Sequence, residues 1–534
     1  APITVAALFV VAAAVEKTGA LQPLVTAALR RGDGSRRELA RLLVPTAAAS
    51  AFLNNTPIVA MLAPQVADWA EKRGKAASHY LMPLSFATVL GGAVTVMGTS
   101  TNLVVSGMMV EAGMAPLGVF ELTRAGLPVA ALGLVVLIAL APRLLPDRRP
   151  ARRALQDDLR EFVMHCEVVP GGTLDGQTVE SGGLRNLQGV FLVEVERDGQ
   201  SVAAPAPTSV LRGGDRLAFA GRVDTVRDLQ NMRGLVAAEH NHSRAYSSAD
   251  HTFFEAVVSG ASPLAGKTLR EAEFRERYQA AVLAIHRAGQ RVNAKLGTVP
   301  LKEGDTLLLI SDQGFAPRWR DRSDFLLVSK LGGAPPPSSR QALFVGLLTF
   351  AVVVVAGLGL VPLLHAALLA AAALVVTGVL SPAQARAAVA LDVLVVIAAS
   401  FGLGAAIQTS GLAALLGRGV VGGTGGLGPV AVLAAVCIAT MILTELITNN
   451  AAAVVIFPVA MAAASQLHLN PRAFAVAVTI AASTSFVTPI GYQTNTMVYG
   501  MGGYRFGDFV RLGLPVTLVS LAAIVIFVPL FWPL

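Results

Sequence analysis

Apolar runs of membrane-spanning length flank a polar middle. Val129–Leu140, Leu343–Leu360, Leu368–Leu380, Val393–Ile407 and Leu514–Phe531 are the clearest, while roughly residues 147–340 carry most of the charge. Inside the apolar flanks lie polar breaks, and they come in pairs. Gly98-Thr99-Ser100-Thr101-Asn102 returns as Gly491-Tyr492-Gln493-Thr494-Asn495, an interval of 393 from 98 to 491, with Val105, Gly107 and Met108 still in register with Val498, Gly500 and Met501. A second pair sets Ser50 and Asn54-Asn55-Thr56 against Thr444 and Thr448-Asn449-Asn450, an interval of 394 from 50 to 444. Irregular backbone at bilayer depth is tolerated only where it is buried in protein or lines a cavity. Matching breaks in two hydrophobic halves therefore point to a binding site at the meeting of two repeats.

Cations give the halves a direction, because they mark the cytoplasmic side. Arg30, Arg31, Arg36, Arg37 and Arg41 precede the first tip, and Lys72, Arg73 and Lys75 follow it. The apolar piece between, Leu42–Trp69, predicts two half-length helices meeting at the break, a re-entrant hairpin entered from the cytoplasm. The counterpart at Pro429–Leu467 is flanked by Gly422–Gly428 and by His468–Pro471, with only Arg418 and Arg472 near. It predicts a hairpin from the opposite face, so the halves are inverted repeats. Thr409-Ser410-Gly411 matches Lys17-Thr18-Gly19, yet the second half starts near Arg340; the expectation is that roughly 50 residues, two helices, precede Ala1 in the full repeat, the alternative being that the two repeats evolved asymmetrically.

With 54% hydrophobic and 14% charged residues, the chain is no ordinary soluble protein. Its net charge of +8 fits basic loops against anionic lipid rather than nucleic acid. The two cysteines, Cys166 and Cys437, exclude a disulfide framework and a Cys-based metal site. His165, His240, His242, His251 and His286 lack metal-ligand spacing, so no transition metal is expected, and no nucleophile–base pairing argues for an enzyme. Lys and Arg are absent from the four breaks. Helix N-termini can hold an anion there, while unwound carbonyls and Asn/Thr oxygens suit Na⁺. Glu445, an acid in an apolar segment, is expected to make a structural hydrogen bond at its hairpin.

These motifs resemble those of the divalent anion/sodium symporters, the family of sodium-coupled dicarboxylate, citrate and sulfate carriers of the solute carrier family 13 type. The resemblance covers both membrane halves. It implies a first sodium site from Ser50, Asn54, Asn55, Gly98 and Asn102, and a second from Thr444, Thr448, Asn449, Gly491 and Asn495. It implies an anion between them, against Asn55, Thr56, Thr99, Asn449, Asn450 and Pro489. The family's Ser-Asn-Thr tips are changed here at Asn54, Thr448 and Asn450, so carboxylate specificity is not carried over.

The middle holds a second duplication. Leu174-Asp175-Gly176 returns as Leu264-Ala265-Gly266, Arg197 as Arg287 and Asp215 as Asp305, an interval of 90 each time. Strand-like runs at Val190–Val195, Leu217–Ala220, Ala281–His286 and Thr306–Ile310 alternate with Gly/Asp turns. These two units resemble TrkA-C domains, a likeness that implies dimerisation and a small ligand of unknown identity. Gly332–Ser339 reads as a tether back to the membrane.

The expected fold is thus a polytopic α-helical membrane protein of inverted repeats with two re-entrant hairpins and broken helices, plus a cytoplasmic α+β tandem-domain insert. The expected boundaries are 1–146 for the first membrane repeat, 158–240 and 250–330 for the TrkA-C-like domains, and 340–534 for the second repeat. The expected function is sodium-coupled transport of a small divalent anion, sulfate favoured over dicarboxylate, by an elevator-type movement of a homodimer in the bacterial inner membrane. No cofactor is expected beyond Na⁺ as coupling ion. A proton- or arsenite-linked permease and a TrkA-C-gated ion channel are the alternatives.

Overall fold

The computed structural model describes residues 2–20, 35–148, 163–184, 190–197, 200–203, 205–221, 234–237, 251–330 with short gaps at 261, 288–289, 293, 295, 313, 320–321 and 323, then 340–389 and 391–534. Arg30, Arg31, His240, His242 and the Gly332–Ser339 tether lie outside the described residues. The chain separates into two compact units, one of helices from both flanks and one built from the middle.

In the helical unit the first flank forms α1 (Pro2–Thr18), α2 (Ser35–Ser50), α3 (Asn55–Lys72), α4 (Ser78–Gly92), α5 (Ser100–Glu111) and α6 (Thr123–Leu144). The first polar tip falls between α2 and α3, and the first Gly/Thr break between α4 and α5. Both arms of the first hairpin are longer than half-length, 16 and 18 residues. The reason is local: the flanking Arg, Glu, Lys and Leu residues are good helix formers, so the helices run on past the apolar stretch. Lys75 closes the base of this hairpin by donating to both oxygens of buried Glu38 at 2.6 Å, and Tyr80 donates to the same carboxylate at 2.7 Å.

In the middle unit, β1 (Val163–Val168), β2 (Val190–Arg197), β3 (Gln200–Ala203), β4 (Arg216–Gly221) and β5 (Leu235–Ala237) make one antiparallel sheet. Strands β6 (His251–Val258), β7 (Ala280–Arg287), β8 (Gln290–Arg291), β9 (Thr306–Asp312) and β10 (Phe325–Lys330) make another, with short helices α7 (Phe274–Tyr278) and α8 (Phe315–Trp319). The orders, β3-β2-β4-β1-β5 and β8-β7-β9-β6-β10, are the same. Even the bulges correspond, between Leu192 and Glu194 and between Val282 and Ala284. The four strand-like runs of the sequence all lie inside strands. The opening strands β1 and β6, and the short or edge strands β3, β5, β8 and β10, were not foreseen.

The second flank returns to the helical unit as α9 (Arg340–Gly357), α10 (Leu363–Val376), α11 (Pro382–Ala387), α12 (Leu391–Thr409), α13 (Leu412–Thr424), α14 (Pro429–Leu446), α15 (Asn449–Gln466), α16 (Pro471–Ser483), α17 (Gln493–Met501) and α18 (Phe506–Phe531). Among the described residues, α6, α9, α14 and α18 are long and apolar enough to cross a membrane, and the pair α12–α13, bent by 69°, adds a fifth. Gly19 and Gly411, aligned in the sequence, close α1 and α12 with left-handed φ of 65° and 78°. The centre of the unit is α4 and α16, whose starts at 78 and 471 are 393 apart. Nearly every residue of both is buried, and α4 accordingly shows no amphipathic stripe.

Candidate functional site

The four breaks converge, each shaped by what its backbone must do. Between α4 and α5 the chain leaves helix at Ala93 and re-enters through Thr99, extended at φ −146° and ψ 150°. No side chain fits at Gly98: a Cβ there would lie 2.5 Å from Gly92 O and 2.8 Å from Ser50 O. At Gly491 a Cβ would lie 2.2 Å from Ser485 Oγ and 2.9 Å from Thr444 O. The two glycines thus press on corresponding hairpin carbonyls, Ser50 and Thr444.

The asparagines repeat the same geometry. Asn102 Nδ2 donates to Gly92 O at 3.0 Å and Thr95 O at 2.7 Å. Asn495 Nδ2 donates to Ser485 O at 3.1 Å and Thr488 O at 3.3 Å. In both copies the partners are ten and seven residues back, so each asparagine staples its own break into a cradle of carbonyls. Thr95 and Thr488 complete it: their hydroxyls donate to the hairpin carbonyls of Ala51 and Glu445. Thr95 was missed in the sequence, although its 393-residue match to Thr488 was the available signal.

The tips then bond across the repeats. Ser50 Oγ donates to Asn55 Oδ1 at 2.6 Å, and Asn55 Nδ2 donates to the Tyr492 hydroxyl at 2.6 Å. Thr99 Oγ1 lies 3.4 Å from that same hydroxyl, and Asn449 lies close enough to influence it. Three of the six residues expected around an anion therefore meet on one buried phenol, a role that the sequence did not disclose. Asn450 Oδ1 instead accepts from Thr101 Oγ1 at 2.8 Å, and Thr56 Oγ1 donates to Gln493 Oε1 at 3.4 Å. Pro489 is buried and its carbonyl accepts from Thr496 Oγ1 at 2.8 Å. Asn54 is half-buried and lines a cavity of about 30 Å³ with Met97, Ser100 and Leu103. Thr448 is exposed and caps α15, accepting from Ala451 N at 3.4 Å. Thr444 is buried and donates to Ala482 O at 2.9 Å.

Apart from Glu445, the site is built from neutral dipoles. Glu445 is spent on backbone: Oε1 accepts from Phe486 N at 2.7 Å and Val487 N at 2.8 Å, and Oε2 from Thr488 N at 2.8 Å. The carboxylate thereby satisfies the N–H groups that the second break sets free. The arrangement offers carbonyl and amide oxygens to a hard cation, and Asn and hydroxyl donors to an oxyanion.

Comparison with known proteins gives the family. The citrate transporter family model matches residues 2–479 and again 429–533. A Chlamydomonas reinhardtii protein described as a sulfur deprivation response regulator is 36% identical over 97% of this chain and 91% of its own length. A transporter of Synechocystis is 35% identical over 100% of this chain and 89% of its own. Sodium/sulfate cotransporter 1 of Chlamydomonas reinhardtii is 27% identical over 96% and 82%. Similarity of this extent, running through both membrane flanks and the two-sheet middle, means that the chain belongs to the citrate transporter family.

Proposed function

We propose that this protein is a sodium-coupled symporter of a small divalent oxyanion, sulfate favoured over dicarboxylate. The carrying observation is the pair of carbonyl cradles stapled by Asn102 and Asn495, with neutral donors of both tips gathered between them. A fully ionised oxyanion asks only for donors, and Asn55, Thr99, Asn449 and Tyr492 can supply them. Relatives named sodium/sulfate cotransporters support the same ion pair.

Two facts favour inverted repeats. The start of α4 bonds the far end of α6, Ser78 Oγ to Pro146 O at 2.9 Å and His79 Nε2 to Leu145 O at 2.9 Å. The start of α16 bonds the near end, Arg472 pairing with Glu121 at 2.6 Å. Equivalent helices thus start at opposite ends of one span. The Glu38–Lys75 closure favours a re-entrant first hairpin, since its chain leaves beside where it enters. On this reading hairpins and broken helices move together, elevator-like, against a dimerising scaffold in the bacterial inner membrane. The two-sheet insert, TrkA-C-like and cytoplasmic, regulates or holds the pair.

The test is uptake of radiolabelled sulfate, succinate and citrate into proteoliposomes, with and without an inward sodium gradient. Sodium-dependent sulfate uptake that unlabelled sulfate outcompetes is expected. Uptake of every anion indifferent to sodium would rule out symport. The family's description favours one second reading, citrate as substrate, and the third label decides it.

A further inference from the structure

The two cradles are unequal, and the difference comes from the opposite repeat. Asn102 spends its nitrogen on two carbonyls, which fixes the amide orientation and turns Oδ1 the other way. That oxygen is buried, in a residue 0% exposed, and has no hydrogen-bond partner among the described residues. A buried acceptor left unmade is costly, and a hard cation would offset the cost. Asn495 repeats the two nitrogen bonds, but its Oδ1 accepts from Ser85 Oγ at 2.7 Å.

Ser85 sits on α4, within the first repeat, and is fully buried. Its single hydroxyl proton has two acceptors in reach, Asn495 Oδ1 and Thr494 Oγ1 at 2.8 Å. The position 393 residues on from Ser85 is Val478, which has no proton to give. The unpartnered oxygen of the second cradle is the hydroxyl of Ser485, where the first repeat has Gly92. One cradle thus presents a free amide oxygen, and the other a free hydroxyl beside an amide oxygen already engaged.

We propose that Ser85 is a positioning residue that sets the order of cation binding: its hydroxyl competes with the cation for Asn495 and makes the second cradle the weaker, later-filled site. This rests on the sodium-coupled reading above. A cation enters the first cradle without breaking a hydrogen bond. In the second it must first turn the Ser85 proton toward Thr494. The exchange costs at most one net hydrogen bond, which corresponds to at most about tenfold in affinity.

The experiment measures equilibrium binding of radioactive sodium to the purified full chain without anion. The wild type should show two affinities. Ser85→Ala is expected to lower half-saturation of the weaker site by up to about tenfold and leave the tighter one in place. An unchanged or raised value overturns the proposal. Should Ser85→Ala fail to assemble, Val478→Thr places a hydroxyl at the matching position and should weaken the tighter site by the same factor; no change there is equally fatal. A wild type that binds no sodium removes the coupling reading itself, and that outcome is visible before any variant is made.

Discussion

Two duplications share this chain, and they treat their copies oppositely. In the middle unit each copy repeats the same internal bonds, with a long bond between the copies from Arg275 Nη1 to Pro205 O at 3.5 Å. Arg197 Nε and Nη2 grip Asp215 at 2.7 and 2.6 Å and Nη2 reaches Val210 O at 2.8 Å. Ninety residues on, Arg287 grips Asp305 at 2.8 and 2.7 Å and reaches Pro300 O at 2.7 Å. Each sheet also closes over its own apolar cluster. In the membrane unit the copies exchange partners: Asn55 bonds Tyr492, Asn450 bonds Thr101, and Ser85 bonds Asn495. Where copies bond mostly within themselves they remain alike. Where they bond each other, corresponding positions face different neighbours, and that is where Thr99 stands opposite Tyr492 and Val478 opposite Ser85.

The sharpest way to break this comparison is Arg287→Ala. It strands the fully buried Asp305 carboxylate, which costs about 3–5 kcal/mol. Hydrogen exchange should rise across β6–β10 while β1–β5 stay protected. Joint opening of both sheets would show that the copies are not independent. In the membrane unit the opposite is expected. Tyr492→Phe leaves Asn55 Nδ2, in the other copy, without its acceptor, a loss of about 1–3 kcal/mol. The anion concentration for half-maximal uptake should rise roughly tenfold in an inserted, monodisperse protein; an unchanged value would mean that transport does not use the exchange. The smallest effect is on pH. Burial raises the Asp215 pKa, but bonds from Arg197 and the Arg212 N–H outweigh it and hold the carboxyl below the usual carboxylate range. Its stabilising contribution is therefore complete above the unfolded value of about 3.9 and lost as pH falls through the lower folded value. Circular dichroism of the full chain between pH 5 and 2 should show strand signal lost only at the acid end, and Asp215→Asn should flatten that dependence.

The same contrast explains what could be read in advance. Periodic apolar runs and register-matched motifs located the breaks, because glycine and asparagine are forced at Gly98, Gly491, Asn102 and Asn495 by local backbone geometry. The insert's interval of 90 was visible for the same reason: Arg197 and Asp215 solve a problem within one copy. Partners about 400 residues apart leave no such trace. Tyr492 aligned with a threonine, and Ser85 sits in a helix buried all round, where one hydroxyl looks like any other. The opening strands β1 and β6 lie across a sheet from residues far along the chain, so nothing local announced them. Hairpin arms extended past the apolar stretch because helix propensity does not stop where hydrophobicity does.

Helix α6 adds a mechanical constraint. One end is held by His79 and Ser78 of the first repeat and the other by Arg472 of the second, whose guanidinium also donates to Ala115 O at 3.0 Å and Pro116 O at 3.2 Å. A rod pinned at both ends to two bodies removes their freedom to slide past one another along its length. Whatever displacement these helices undergo, α4 and α16 must make it as one piece, so a distance label spanning them is a fixed ruler.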